Sequence, residues 1–258
     1  MKTEDIKIIV REKYGKIAEQ DTDTTGCCGS SCCGSDVDYS IFSENYEKKD
    51  GYNPDADLNL GCGIPTDFAG IRKGDNVLDL GSGAGNDCFV ARALAGENGK
   101  VTGLDFTPEM LKKAKENNSK LGYENVEFVE GDIEEIPLSS DSFDVVISNC
   151  VLNLVPDKSK AFSEIYRVLK PGGHFCVSDV VIKGSLSEKL RKDAEMYAGC
   201  VSGASDIDEY LGYIKDSGFK GISLHKQKEI KLPEDTVRDF NIEKETGIFS
   251  ITVTGYKQ

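Results

Sequence analysis

The sequence predicts an α/β fold built on a doubly wound, mostly parallel sheet. From Asn76 onwards, short apolar runs alternate strictly with helix-patterned stretches, and such alternation places helices on both faces of one sheet. The first run ends Val77-Leu78-Asp79-Leu80 and opens directly into Gly81-Ser82-Gly83-Ala84-Gly85 and a helix. A strand, a glycine turn and a helix N-terminus form a nucleotide cradle, because glycines let the backbone pass close to a ligand and N–H groups point into the gap. Asp79 precedes the first of these glycines. Asp105 closes the next apolar run about 20 residues past Gly85, where a carboxylate accepts hydrogen bonds from ribose hydroxyls.

In chain order, Ile6, Ile8, Ile9, Val10, Tyr14 and Ile17 stand among charges in residues 3–20 and predict a helix, which Gly15 weakens near its end. Residues 21–36 are small and polar and read as a flexible arm carrying Cys27, Cys28, Cys32 and Cys33. Tyr39–Tyr46 reads as a short amphipathic piece, and Gly51–Gly63 as a loop with Cys62 between two glycines. The strands are Asn76–Leu80, Lys100–Asp105, Val126–Glu130, Phe143–Asn149 and His174–Val181; the helices are Asn86–Ala95, Pro108–Leu121 and Lys158–Leu169. Thr107 is expected to cap the second helix, with Pro108 at its first position. Lys170-Pro171-Gly172-Gly173 stops the third. Ser187–Ala198 and Asp206–Ser217 read as further helices, and Gly221–Gln227 and Phe249–Tyr256 as an antiparallel strand pair at one sheet edge. The expected organisation is an N-terminal segment over 1–70, a nucleotide-binding core over 71–182 and a C-terminal α+β extension over 183–258.

Composition bounds the partners. The net charge of −14 over 258 residues disfavours nucleic acid and anionic membrane, which need a basic surface. No apolar run approaches the roughly 20 residues of a membrane-spanning helix. Met1-Lys2-Thr3-Glu4-Asp5 lacks the apolar stretch of a signal peptide, so the cytoplasm is the expected compartment. Nine cysteines in such a chain are not a secreted disulfide framework; several should bind something soft or carry redox chemistry.

Residues 76–181 resemble the class I S-adenosylmethionine methyltransferases. The matching stretches are Asp79-Leu80-Gly81-Ser82-Gly83-Ala84-Gly85, Asp105, Glu130-Gly131-Asp132-Ile133, Asp141-Ser142-Phe143-Asp144-Val145-Val146 and Leu169-Lys170-Pro171-Gly172-Gly173. The resemblance implies a Rossmann-like sheet of seven strands and S-adenosylmethionine as cofactor. It implies contacts from Asp79, Gly81, Gly83, Gly85, Asp105, Asp132, Ile133 and Asn149: glycines against the methionyl part, Asp105 on ribose, and Asp132 with Ile133 around adenine. A nicotinamide enzyme would share Gly81–Gly85 and Asp105 but not the Asp132 and Pro171 stretches.

The cysteines sort by position. Cys88, in the helix after the glycine turn, and Cys176, inside an apolar strand, read as packing residues. Cys150 follows Asn149 past the carboxyl end of the fourth strand, the edge where doubly wound sheets bind ligands. Cys200 follows Gly199 at a helix end, and the glycines beside Cys62 are expected to expose its thiol. Three converging thiolates suit a soft, pyramidal, three-coordinate centre such as trivalent arsenic, whereas zinc prefers four ligands. His174 and His225 lack metal-ligand spacing to any cysteine and read as structural.

Gly61-Cys62-Gly63-Ile64-Pro65, Ser148-Asn149-Cys150-Val151-Leu152-Asn153-Leu154 and Tyr197-Ala198-Gly199-Cys200-Val201-Ser202-Gly203-Ala204 strongly resemble the arsenite S-adenosylmethionine methyltransferases, over about Tyr39 to Gly218. The resemblance implies that Cys62, Cys150 and Cys200 are the arsenic ligands and that a thiol reductant, of thioredoxin or glutathione type, is co-substrate. The substrate would be arsenite or its thiol conjugates. The family's further upstream cysteine falls among Cys27, Cys28, Cys32 and Cys33, which are candidates for a redox relay. A C- or O-methyltransferase of a quinone or other small metabolite would need none of these thiols, and a thiol-based metal sensor would need no intact cofactor site.

Overall fold

The computed structural model describes residues 3–19, 44–184, 203–231 and 246–258. The four arm cysteines, the Ser187–Ala198 stretch and Cys200 lie outside the described residues. Seven strands form one sheet: β1 (Asn76–Leu80), β2 (Lys100–Asp105), β3 (Val126–Glu130), β4 (Phe143–Asn149), β5 (Leu169–Lys183), β6 (Lys220–Glu229) and β7 (Gly247–Tyr256), in the order β3-β2-β1-β4-β5-β7-β6. The first five strands run parallel; β7 lies antiparallel between β5 and β6. The late pair therefore does sit at one edge, with β7 joined directly to the parallel core.

The helices are α1 (Thr3–Glu19), α2 (Asn86–Ala95), α3 (Pro108–Leu121), α4 (Lys158–Val168) and α5 (Ile207–Asp216). Strand residues alternate between two cores, as a period of two requires. Leu78 and Leu80 join Val146, Phe162, Ile165 and Phe175 on one face, while Val77 joins Phe89, Val101, Val145 and Ile147 on the other. β5 begins earlier than its apolar run, because Leu169 pairs with Phe143 before a register shift, so the Pro171–Gly173 turn falls inside the strand.

One local expectation changes. Asp157 caps α4 by accepting the Lys160 N–H at 2.9 Å, but the Thr107 side chain makes no cap hydrogen bond to α3. Its hydroxyl is turned to the buried Asp105 carboxylate instead, because donating to a buried carboxylate is a stronger hydrogen bond than accepting an N–H of the helix end. α1 also does more than pack. It lies against α3, where Lys113 Nζ donates to the Ala18 carbonyl at 3.3 Å, and Lys7 reaches the carboxylates of Asp132 and Glu134 beyond β3.

Candidate active site

A cavity opens at the carboxyl ends of the central strands. Its floor is the turn after β1, where Gly81 and Gly85 have φ of +69° and +98°, a backbone region that L side chains rarely adopt. A Cβ on Gly81 would lie 2.5 Å from the Val151 side chain, and one on Gly85 would lie 2.9 Å from the Phe89 and Phe128 rings. Asp105 ties the turn down: Oδ2 accepts the Gly83 N–H at 2.9 Å and Oδ1 the Thr107 N–H at 2.8 Å. Burial pushes its pKa up, and these N–H donors pull it back.

Asp79 and Asp87 also line the cavity, and both carboxyls are pushed up. Burial is the main cause for each, with the charge of Asp87 adding to it at Asp79. Cys88 Sγ–H donates to Asp79 at 3.2 Å. Asp87 is bracketed by the Tyr46 hydroxyl at 2.8 Å and Asn149 Nδ2 at 3.0 Å. Two carboxyls beside a glycine turn, Asp79 buried and Asp87 half-buried, suit a cationic nucleoside, and the sulfonium and ammonium of S-adenosylmethionine match that charge. Ile133 stands in the wall, whereas Asp132 pairs with Lys7 at 2.5 Å and accepts the Glu134 N–H at 2.8 Å. Val10 and Tyr14 of α1 complete the wall.

Cys150 and the loop that carries Cys62 both lie at this end of the sheet. Cys150 belongs to its lining and is held at φ +60°, a strained conformation for a residue with a Cβ. Its N–H donates to the Ser178 carbonyl of β5 at 2.8 Å, which turns the chain away from β4. The N–H groups of Cys62 and Gly63 donate to Asn149 Oδ1 at 3.1 and 3.2 Å, and Ser250 Oγ donates to the Cys62 carbonyl at 2.5 Å. Cys62 is 1% exposed and Cys150 4%.

The glycines beside Cys62 thus do not expose it, contrary to expectation. They let the loop press inward: a Cβ on Gly61 would lie 2.6 Å from Asn149 Nδ2, and one on Gly63 2.5 Å from Ser178 Oγ. Asn149, expected to touch cofactor, lines the cavity but directs its carboxamide to the Cys62 loop, Tyr46 and Asp87.

Behind the thiols, Tyr210 of α5 is fully buried and donates to Asp179 Oδ2 at 2.9 Å. Burial and the neighbouring Asp179 carboxyl push its phenol pKa up, and Cys62 and Cys150 lie near enough to add to the shift. Cys88 and Cys176 are wholly buried, and burial pushes both thiols up. His174 meets the Ala69 carbonyl, and His225 meets Thr254 Oγ1 at 2.8 Å. Among the described residues no cluster of three or more His, Cys, Asp or Glu is arranged to hold a metal ion. Sequence reasoning missed Tyr46, Asp87 and the α1 residues. Only Asp87 left a signal, as an acid in the first turn of the helix behind the glycines.

Strand order, glycine turn and acidic strand ends together define a Rossmann-like methyltransferase scaffold. A family model described as a methyltransferase domain matches residues 71–228, and the chain belongs to that family. An arsenite methyltransferase of Halobacterium salinarum is 38% identical over 97% of this chain and 66% of its own length. One from Aquipseudomonas alcaligenes is 34% identical over 89% of this chain and 66% of its own. The chain thus spans just under two thirds of these relatives. The crystal structure of an arsenic(III) S-adenosylmethionine methyltransferase from Chlamydomonas reinhardtii superposes with a TM-score of 0.69 at 40% identity, covering 76% of this chain and 67% of that one.

Proposed function

We propose that the chain catalyses S-adenosylmethionine-dependent methylation of trivalent arsenic held by Cys62, Cys150 and Cys200. The observation that supports this reading is that the backbone of the Cys62 loop, far off in sequence, is bonded to the Asn149 side chain at the end of β4, next to Cys150 in the cavity lining. Arsenite exchanges its hydroxyls for thiolates. Each new As–S bond releases one water, formed from a hydroxyl and the thiol proton. The thiolates fix the direction of the remaining lone pair. When bound, S-adenosylmethionine supplies an electrophilic methyl group on a sulfonium. Asp79 and Asp87 would balance its charge, Asp105 would take the ribose hydroxyls, Gly81, Gly83 and Gly85 would admit the methionyl part, and Ile133 would border the adenine, with Asp132 beside it held by Lys7.

The attacking lone pair carries no proton, so the protein's task is alignment rather than base catalysis. Methylation raises arsenic to the pentavalent state, and return to the trivalent state takes two electrons. A pair of protein thiols supplies them by closing a disulfide, which a thioredoxin- or glutathione-type reductant reopens. Cys27, Cys28, Cys32 and Cys33 are the candidates for that relay, and a reducing cytoplasm is the compartment it suits.

The test is transfer of labelled methyl from S-adenosylmethionine to arsenite or methylarsenite, with a dithiol present. Cys150→Ser and Cys200→Ser should each abolish both reactions, because a hydroxyl is a poor ligand for a soft centre. Methylarsenite has one fewer replaceable group, so Cys62→Ser should lose arsenite turnover and keep much of the second reaction. Full activity on arsenite without Cys150 or Cys200 would overturn the assignment and favour a quinone or other small-metabolite acceptor.

A further inference from the structure

We propose that Asn149 is the positioning residue that sets the Cys62–Cys150 thiol pair, by clamping the Cys62 loop onto the end of β4. This rests on the thiol-bound arsenic reading above. Asn149 is covalently joined to Cys150, so a side chain that grips the Cys62 loop sets where Cys62 stands relative to Cys150 through a path of very few bonds. Its Oδ1 accepts two consecutive loop N–H groups, from Cys62 and Gly63. Its Nδ2 has two protons and three acceptors in reach: the Gly63 carbonyl at 2.9 Å, the Tyr46 oxygen at 2.9 Å and Asp87 Oδ2 at 3.0 Å.

A carboxamide satisfies this surround because it presents an acceptor at one end and a donor at the other. Aspartate would keep the acceptor but turn negative oxygen against the Gly63 carbonyl and Asp87. Leucine would leave the loop N–H groups without their acceptor. The clamp also explains Gly61. Its φ is not in the left-handed region, so the requirement there is space alone: a Cβ would meet all three outer carboxamide atoms at 2.6 to 3.2 Å. The Cys62 loop carries no regular secondary structure and takes its place from Asn149, Ser250 and Ser178.

The experiment uses the full chain and compares Asn149→Ala, Gly61→Ala, Cys62→Ser and the double variant Asn149→Ala/Cys62→Ser. Arsenite binding is read by equilibrium dialysis, S-adenosylhomocysteine binding by calorimetry, and KM and kcat with arsenite and methylarsenite. Access to Cys62 is read separately, as the rate of iodoacetamide labelling by mass spectrometry. Asn149→Ala should weaken arsenite binding roughly ten- to a hundredfold, as expected for losing two or so hydrogen bonds. Methylarsenite KM and S-adenosylhomocysteine affinity should stay within about threefold, and Cys62 labelling should accelerate at least about tenfold, as a buried thiol that becomes mobile requires. Gly61→Ala, which pushes on the same carboxamide from the loop side, should reproduce this pattern and covers the case in which Asn149→Ala does not fold.

The double variant should bind arsenite no worse than Cys62→Ser, because Asn149 acts through Cys62. Additive losses in the double variant, or lost S-adenosylhomocysteine affinity with arsenite binding intact, would overturn the clamp. If Cys62→Ser binds arsenite like the wild type, the arsenic reading itself fails. Labelling then tells the two apart: accelerated labelling in Asn149→Ala leaves the loop contact standing without an arsenic role, and unchanged labelling removes both.

Discussion

Replacing Asp179 by asparagine should change how stability depends on pH, by an amount the structure sets. Asp179 is 1% exposed on β5, and burial pushes its carboxyl up to about 7, against the pull of the Tyr210 hydroxyl, Lys158 and backbone N–H groups. An unfolded aspartate titrates near ~3.9. A carboxyl raised in the folded state contributes stability that is fully present below the unfolded pKa and is lost as pH rises through the folded one. Over the whole window of about three units this is roughly 4 kcal/mol, and between pH 5 and pH 8 about 3 kcal/mol. An asparagine side chain keeps an acceptor for Tyr210 and removes the titration. The Asp179→Asn variant should therefore gain about 3 kcal/mol on the wild type between pH 5 and pH 8, less whatever Lys158 loses with its anionic neighbour. Urea unfolding of both proteins at several pH values measures this directly, and the difference between the curves cancels all other titrating groups. Parallel curves across pH 5–8 would refute the reasoning and mean that Asp179 is ionised throughout.

Two further outcomes follow from the cofactor side. Asp105→Ala removes the proposed ribose acceptor and the tie to Gly83, and should weaken S-adenosylhomocysteine binding by about 1.5–3 kcal/mol while arsenite binding survives; unchanged calorimetric affinity would take Asp105 out of the site. Deleting residues 1–36 removes the Val10 and Tyr14 wall and the Lys7 contacts to Asp132 and Glu134, so cofactor affinity should fall about tenfold, as loss of one modest contact set requires. Trivalent arsenic should still bind the truncated chain, with slower turnover unless a strong dithiol is added; loss of arsenic binding would show that the arm supplies primary ligands.

The sequence by itself determined the elements whose partners are local. β1 to β4 and α2 and α3 have the bounds that apolar runs, Pro108 and the glycine turn indicate, because hydrophobic periodicity and backbone restriction act within a few residues. It also marked Asp79 and Asp105, whose places follow from the strand ends they occupy. Only the tertiary structure decided what depends on atoms distant along the chain. Thr107 has the residue type of a cap, but Asp105 claims its hydroxyl. Gly61 and Gly63 look like loop residues that expose a thiol, yet they are small because Asn149 and Ser178 lie where a Cβ would be. Asn149 reads from sequence as a cofactor contact, yet its five hydrogen bonds run to a loop, a tyrosine and a helix. The wall from α1 has the same origin. A helical pattern states which face is apolar; what that face covers depends on how α1 packs on α3 and on the ion pairs of Lys7 across the chain.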